Sequence, residues 1–164
     1  MEDQSSKPEG WHGQTGLSVD LKSYIGIPYK DKGRDREGLD CWGLLRLVYR
    51  EQLGIELPSY ADGYSTAEDQ ADVARLILDV RDRVPPGDVR PWRPVEKEKG
   101  GDAVLIRIAG EPMHVGVVVK PGEMIHVMRG IDVSLERYHL ARWNKRILGF
   151  YRISNDKYPM INAQ

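Results

Sequence analysis

The chain has 164 residues, 40% of them hydrophobic and 30% charged, and at roughly 100–200 residues per domain that length builds one domain with a real core. Its 24 basic and 25 acidic residues leave a formal net charge of -1, so no global field draws it to nucleic acid or to a membrane. A single cysteine, Cys41, excludes an internal disulfide framework and any multi-thiolate zinc site within one chain.

No apolar run approaches the roughly 18 residues of a membrane span. The polar, acidic beginning of the chain shows no signal peptide, so synthesis in the cytosol is expected. Residues 1–16 combine serine, proline and three glycines with few apolar groups, which predicts a loosely held arm. A domain over 17–158 and a short tail at 159–164 follow, with ordered structure beginning near 17–27.

A first helix is predicted from Cys41. Cys41, Leu44, Leu45, Val48 and Gln52 recur at i, i+3, i+4, i+7 and i+11, on one face. Asp40 stands at the N-cap position and Gly54 closes the helix, before a turn at Leu57-Pro58. A second helix is predicted over 66–83, with Val73, Leu76, Ile77 and Val80 as a narrow apolar stripe. Ser65 and Glu68 have capping-box spacing there, and Thr66 is an equally good cap. Residues 84–94 hold four prolines and a glycine and predict an irregular connection.

From Gly100 the hydrophobic period changes to two. Strands are predicted at 103–108, 114–119, 123–128, 131–135 and 148–153, with Pro121-Gly122 as a hairpin turn. Helices first and strands afterwards predict an α+β domain with an antiparallel sheet.

Cys41 falls in the first turn of its helix, where unpaired N–H groups favour a thiolate. Asp40 opposes that effect unless capping, Arg34 or Arg36 consumes its carboxylate. Two readings stand side by side: a small packed core thiol, or a nucleophile. A nucleophile needs a base and the base an orienting partner, which His114 and His126, on successive strands, can supply. His12 and His139 read as exposed.

The pairing has a geometric condition. A plain two-residue turn at Pro121-Gly122 sets His126 opposite Val117 and sends the two imidazoles to opposite faces. Cooperation requires a register shifted by one, with His126 opposite Gly116, and therefore a bulged hairpin. Cys41, His114 and His126 lack short ligand spacing, so neither a metal nor another cofactor is expected. Arg137, Arg142, Lys145 and Arg146 surround Trp143 and read as a solvated face rather than a nucleic-acid surface.

The run Gly33-Arg34-Asp35-Arg36-Glu37-Gly38-Leu39-Asp40-Cys41-Trp42-Gly43-Leu44 resembles the cysteine motif of the NlpC-type peptidases. These are papain-like enzymes that cut the peptide stems of the bacterial cell wall. Gly101-Asp102-Ala103-Val104 resembles their Gly-Asp entry to the sheet, His114-Val115-Gly116-Val117 the base-bearing strand, and Ile125-His126-Val127 the strand of the third polar residue. Tyr29 matches the tyrosine beside the family's nucleophile. Four pieces in the right order over most of the chain carry the resemblance. Trp42 departs from it, standing where many members have serine, and the Asp-Cys-Trp-Gly form is most similar to the branch found in bacteriophage tails and gene-transfer particles. The long span from Cys41 to His114 marks 60–99 as an insertion, read as a lid, a docking surface or a surface decoration.

The resemblance implies that Cys41 attacks a stem-peptide amide and forms an acyl-enzyme, with His114 as base and then acid. His126 would fix the His114 tautomer, and the Cys41 N–H with the Tyr29 hydroxyl would hold the oxyanion. The family's usual bond joins D-glutamate to a diamino acid, an anionic substrate whose carboxylates Arg34, Arg36 or Arg107 would meet. Peptidoglycan and phage tail proteins are the expected partners. A tail component with dispensable catalysis, and an acyltransferase or amidase on the same scaffold, are the alternatives.

Overall fold

The computed structural model describes residues 21–66, 69–82 and 92–153. The predicted arm and tail lie outside them. A 3-10 turn, Leu21–Tyr24, buries its two ends. Strands β1 (Arg34–Asp35) and β2 (Gly38–Leu39) form a minimal hairpin that delivers the chain to helix α1, Cys41–Val48. Asp40 is extended and its carboxylate accepts the Gly43 N–H at 2.7 Å, so the predicted cap is the cap found. Leu44, Leu45, Leu47 and Val48 are buried. One wider π-helical turn, Tyr49–Leu53, follows and ends at Gly54, whose φ of 64° suits a residue without Cβ.

Helix α2, Gln70–Asp82, begins later than the predicted 66. Asp69 caps it, its Oδ1 accepting the Asp72 N–H at 3.2 Å, in place of Ser65 or Thr66. Val73 and Ala74 pack with Tyr64 and Met113, and Ile77 joins them at the margin. The side chains of Leu76 and Val80 lie outside the described ones.

The main sheet is antiparallel and six-stranded, in the order β3-β8-β4-β5-β6-β7. Its strands are β3 (Trp92–Val95), β4 (Ala103–Ile108), β5 (Glu111–Lys120), β6 (Glu123–Met128), β7 (Ile131–Arg137) and β8 (Ile147–Ile153). All five predicted strands are present. The sixth, β3, corrects the reading of 84–94 as irregular: Trp92 to Pro94 are strand. Its Pro94 stands opposite Tyr151 on an edge strand that pairs only with β8, where proline is tolerated. The Gly101-Asp102 entry to β4 is fixed by the Asp102 carboxylate, which takes two bonds of 2.7 Å from Arg152 on β8.

Alternation along the strands makes two cores. Leu105, Val115, Val117, Ile125 and Val127 pack with α1. Val104, Ile106, Val118 and Met124 pack on the other face, under Tyr138 and Trp143. Burying both faces explains why β5 reads as a continuous apolar run rather than an alternating one.

Candidate active site

Cys41 is half-buried at the first position of α1. Two backbone N–H groups, those of Val115 and Trp42, and the Arg34 guanidinium favour its thiolate. Burial and the neighbouring Asp40 carboxylate outweigh them and push the thiol up to about 12. The resting group is a protonated thiol, and the helix terminus alone does not ionise it.

Asp40 is engaged by the cap and by Arg34, and by one partner the sequence does not suggest, yet its charge still disfavours the thiolate. Besides capping Gly43, its Oδ1 pairs with Arg34 at 2.7 Å, and its Oδ2 accepts the Tyr64 hydroxyl. Arg34 also donates to Tyr64 Oη at 2.7 Å, to the Gly33 carbonyl at 2.8 Å and to the Ser59 carbonyl at 3.0 Å. The guanidinium expected at substrate carboxylates is thus tied into the cap. Arg36 pairs with Glu51 at 2.6 Å and lies over the Tyr24 ring. Tyr64 was not among the predicted site residues, since nothing in one sequence links a tyrosine in a polar loop to Asp40.

His114 and His126 come together. Nε2 of His114 is 3.0 Å from Nδ1 of His126, with the rings edge to face. The hairpin shows how. Lys120 pairs with Glu123 around the two-residue turn, then the register slips, and Val118 pairs with Met124 and Val117 with Ile125. Val119 is the extra residue. Continued one residue past the last pair, the slipped register brings Gly116 level with His126 and puts both imidazoles on one face, which is the bulged hairpin that cooperation requires. Burial, with His126 alongside, drives His114 down to about 3. Burial also lowers His126, Glu136 opposing it and Arg142 adding to it.

The β5–β6 ladder stops at Val117–Ile125. Beyond its end the Val115 N–H meets the Cys41 sulfur, so the thiol stands one peptide from His114. Because Nε2 of His114 is engaged with His126, Nδ1 is the nitrogen that ring has for a thiol proton. Tyr29 bridges to Leu39 and packs at the margin of the core that includes Cys41. Burial and then Asp31 and Asp40 raise its hydroxyl, while Arg129, which donates to it, pulls the other way.

Two contacts from the C-terminal half were not legible in the sequence. Trp143 is buried rather than part of a basic face, its ring edge-on to His126 at 5.0 Å. Its indole N–H donates to Glu136 Oε2 at 3.2 Å. The described residues of the segment 60–99 likewise take part in the packing: the Tyr60 ring lies tilted against Trp42 at 5.4 Å, and α2 packs on Met113, the neighbour of His114.

A thiol opening a helix that packs on an antiparallel sheet, with two coupled imidazoles on the neighbouring strands of that sheet, is a papain-like α+β arrangement. The profile of the NlpC/P60 family matches residues 26–152, and the chain belongs to that family. It is 28% identical over 137 residues to the Escherichia coli murein DD-endopeptidase MepS/murein LD-carboxypeptidase, covering 79% of this chain and 61% of that protein. It is 27% identical over 146 residues to the gamma-DL-glutamyl hydrolase of Bacillus subtilis, covering 87% of this chain and 30% of that protein. The chain therefore spans less than two thirds of the length of these relatives. Among solved structures, the NlpC/p60 domain of the peptidoglycan hydrolase SagA superposes with a TM-score of 0.50 at 22% identity, over 81% of this chain and 91% of that one. An NLP/P60 family protein of Staphylococcus aureus superposes with a TM-score of 0.53 at 22% identity, over 80% and 38%. At such identities the superpositions establish the shared fold.

Proposed function

We propose that this protein is a cysteine endopeptidase of the bacterial cell wall, cutting amide bonds in peptidoglycan stem peptides. The observation that carries this is the His114–His126 contact at 3.0 Å, on the strand whose next residue, Val115, turns its backbone N–H to the helix-borne thiol of Cys41. Family membership and relatives named as murein endopeptidases support the substrate class.

The resting groups are a neutral thiol and a neutral imidazole, so the thiol proton must move as the carbon–sulfur bond forms. Nδ1 of His114 takes the proton while Nε2–H stays on His126, and the sulfur adds to the amide carbonyl. The oxyanion is met by the Cys41 N–H and the Tyr29 hydroxyl. His114 returns the proton to the leaving amine, which departs and leaves the acyl-enzyme. Water, deprotonated by the same nitrogen, then releases the new carboxylate and restores the thiol.

An amide between D-glutamate and a diamino acid fits this reading. With Arg34 held by the cap, Arg129 beside Tyr29 is the cation suited to a stem carboxylate. Delivery to the wall by a phage tail rests on the resemblance of residues 40–51 to the tail branch.

The test is digestion of purified peptidoglycan by the protein and by Cys41→Ala, with the released muropeptides identified by mass spectrometry. Stem-peptide products should fall by roughly 1000-fold or more in the variant. Equal release by both proteins, or none by either, removes the endopeptidase reading. Products with a free D-glutamyl carboxylate and a new diamino-acid amine would identify the bond.

A further inference from the structure

The proton path through His114 and His126 has to end somewhere. If Nδ1 of His114 is to accept a proton, Nε2 must carry the hydrogen and donate it to Nδ1 of His126. His126 is then protonated on its other nitrogen. That atom is fully buried and, among the described residues, makes no hydrogen bond. A buried N–H without a partner is costly, and such atoms in native proteins ask for an explanation.

The group facing it is Glu136, whose Oε1 is 3.7 Å from His126 Nε2. The position is set by the sheet. His126 pairs with Ser134 and Met124 with Glu136, so Glu136 is the diagonal neighbour of His126 on the same face. The carboxylate is held from its far side, where Oε2 accepts the Trp143 indole N–H at 3.2 Å. Arg142 approaches Oε1 at 3.6 Å, and the Trp143 ring closes over His126 at 5.0 Å.

We propose that Glu136 is a positioning residue that extends the pair to a line His114–His126–Glu136. Its carboxylate selects the Nε2–H tautomer of His126 and stabilises the positive charge that spreads over both rings as the thiol gives up its proton. Shortening of the 3.7 Å contact to a hydrogen bond accompanies that charging. The groups facing His126 are His114 on β5, Glu136 on β7, and Trp143 and Arg142 in the following turn. Of the two charged ones, Glu136 favours an imidazolium and Arg142 disfavours it. This role rests on the catalytic reading above, but the tautomer it requires can be observed without a substrate.

The variants are Glu136→Gln, whose amide oxygen keeps an acceptor for the Trp143 indole, and Arg142→Ala. Two measurements apply to each. Long-range 1H–15N spectra of histidine-labelled protein report tautomer and titration, and pH profiles of kcat and kcat/KM use soluble stem peptide. In the native protein both histidines are expected as Nε2–H tautomers. In Glu136→Gln the His126 tautomer becomes mixed and imidazole protonation moves to lower pH, and the acid limb of kcat/KM follows it. In that variant kcat falls by about tenfold with KM little changed. Arg142→Ala moves the acid limb to higher pH.

Unchanged tautomers and titration in a folded Glu136→Gln overturn the proposal, whatever the activity. Changed spectra with native kcat and pH profile, in a protein whose Cys41→Ala variant is inactive, also overturn it. If no Cys41-dependent cleavage exists at all, the catalytic reading fails, and the spectra still decide whether Glu136 governs the pair.

Discussion

Gly116 lies against the backbone of Ile125, the last β6 residue to pair with β5 and the neighbour of His126, and the missing side chain is what lets the strands approach there. A Cβ at 116 would lie 3.0 Å from the Ile125 carbonyl oxygen, 3.1 Å from Val104 Cγ1 and 3.3 Å from Met124 Sδ. The nearest of these is backbone in a paired strand and has little freedom to give.

In an open strand position, replacing glycine by alanine gains about 0.5–1 kcal/mol. Gly116→Ala should instead destabilise, by about 1–3 kcal/mol, because the crowding exceeds the entropic gain. Peptidase activity should fall with it, because the crowded backbone at Ile125 carries His126 as its next residue. Urea denaturation read beside activity checks this, and a neutral or stabilising result would show that the space is not needed.

Acid should destabilise the protein through its buried histidines. His114 binds its proton at about 3 in the folded chain, against about 6.5 when unfolded. Above pH 6.5 neither state is protonated and the contribution to stability is complete. Between 6.5 and 3 only the unfolded chain takes up the proton, so stability falls by up to about 1.4 kcal/mol per pH unit for this one group. His114→Gln should flatten the dependence of unfolding free energy on pH in that window. Parallel curves for the two proteins would contradict the assignment.

Asp40 both holds the start of α1 and restrains the thiol. Asp40→Asn keeps an acceptor for the Gly43 N–H but leaves Arg34 without its anion, a loss of about 3–5 kcal/mol for a buried pair broken on one side. The same change removes a negative charge beside Cys41, so the thiol should ionise at lower pH. Alkylation of Cys41 by iodoacetamide, followed against pH, should shift its midpoint downward. An unmoved or raised midpoint would mean that the carboxylate does not govern the thiol.

The segment carrying Tyr64 and Val73 is expected to behave as core. Val73 is 6% exposed and packs with Tyr64 and Met113, the first bonded to Asp40 and the second next to His114. Val73→Asp buries an unpaired carboxylate and should cost more than about 3 kcal/mol. Tyr64→Phe, which removes bonds to Asp40 and Arg34 without changing shape, should cost about 1–3 kcal/mol. Thermal unfolding of both variants near the native midpoint would return the segment to the status of a surface decoration.

The amino-acid sequence by itself determined the parts of this protein that rest on local rules. The Asp40 cap, the apolar stripe of α1, the Gly54 stop and five of the six strands of the main sheet follow from spacing and composition. So did the condition on the hairpin for His114 to meet His126, because a period of two converts one slipped residue into a change of face. Only the tertiary structure decided whether Val119 is that residue, since a bulge depends on which core each flanking side chain enters. It also decided the fate of the charges. Asp40, Arg34 and Tyr64 bond to one another across 30 residues of chain, and Glu136 reaches His126 through strand pairing that no local pattern encodes. Sequence spacing states which groups are present. Their ionisation and their partners are set by burial and by contacts between distant segments, which exist only once the chain has folded.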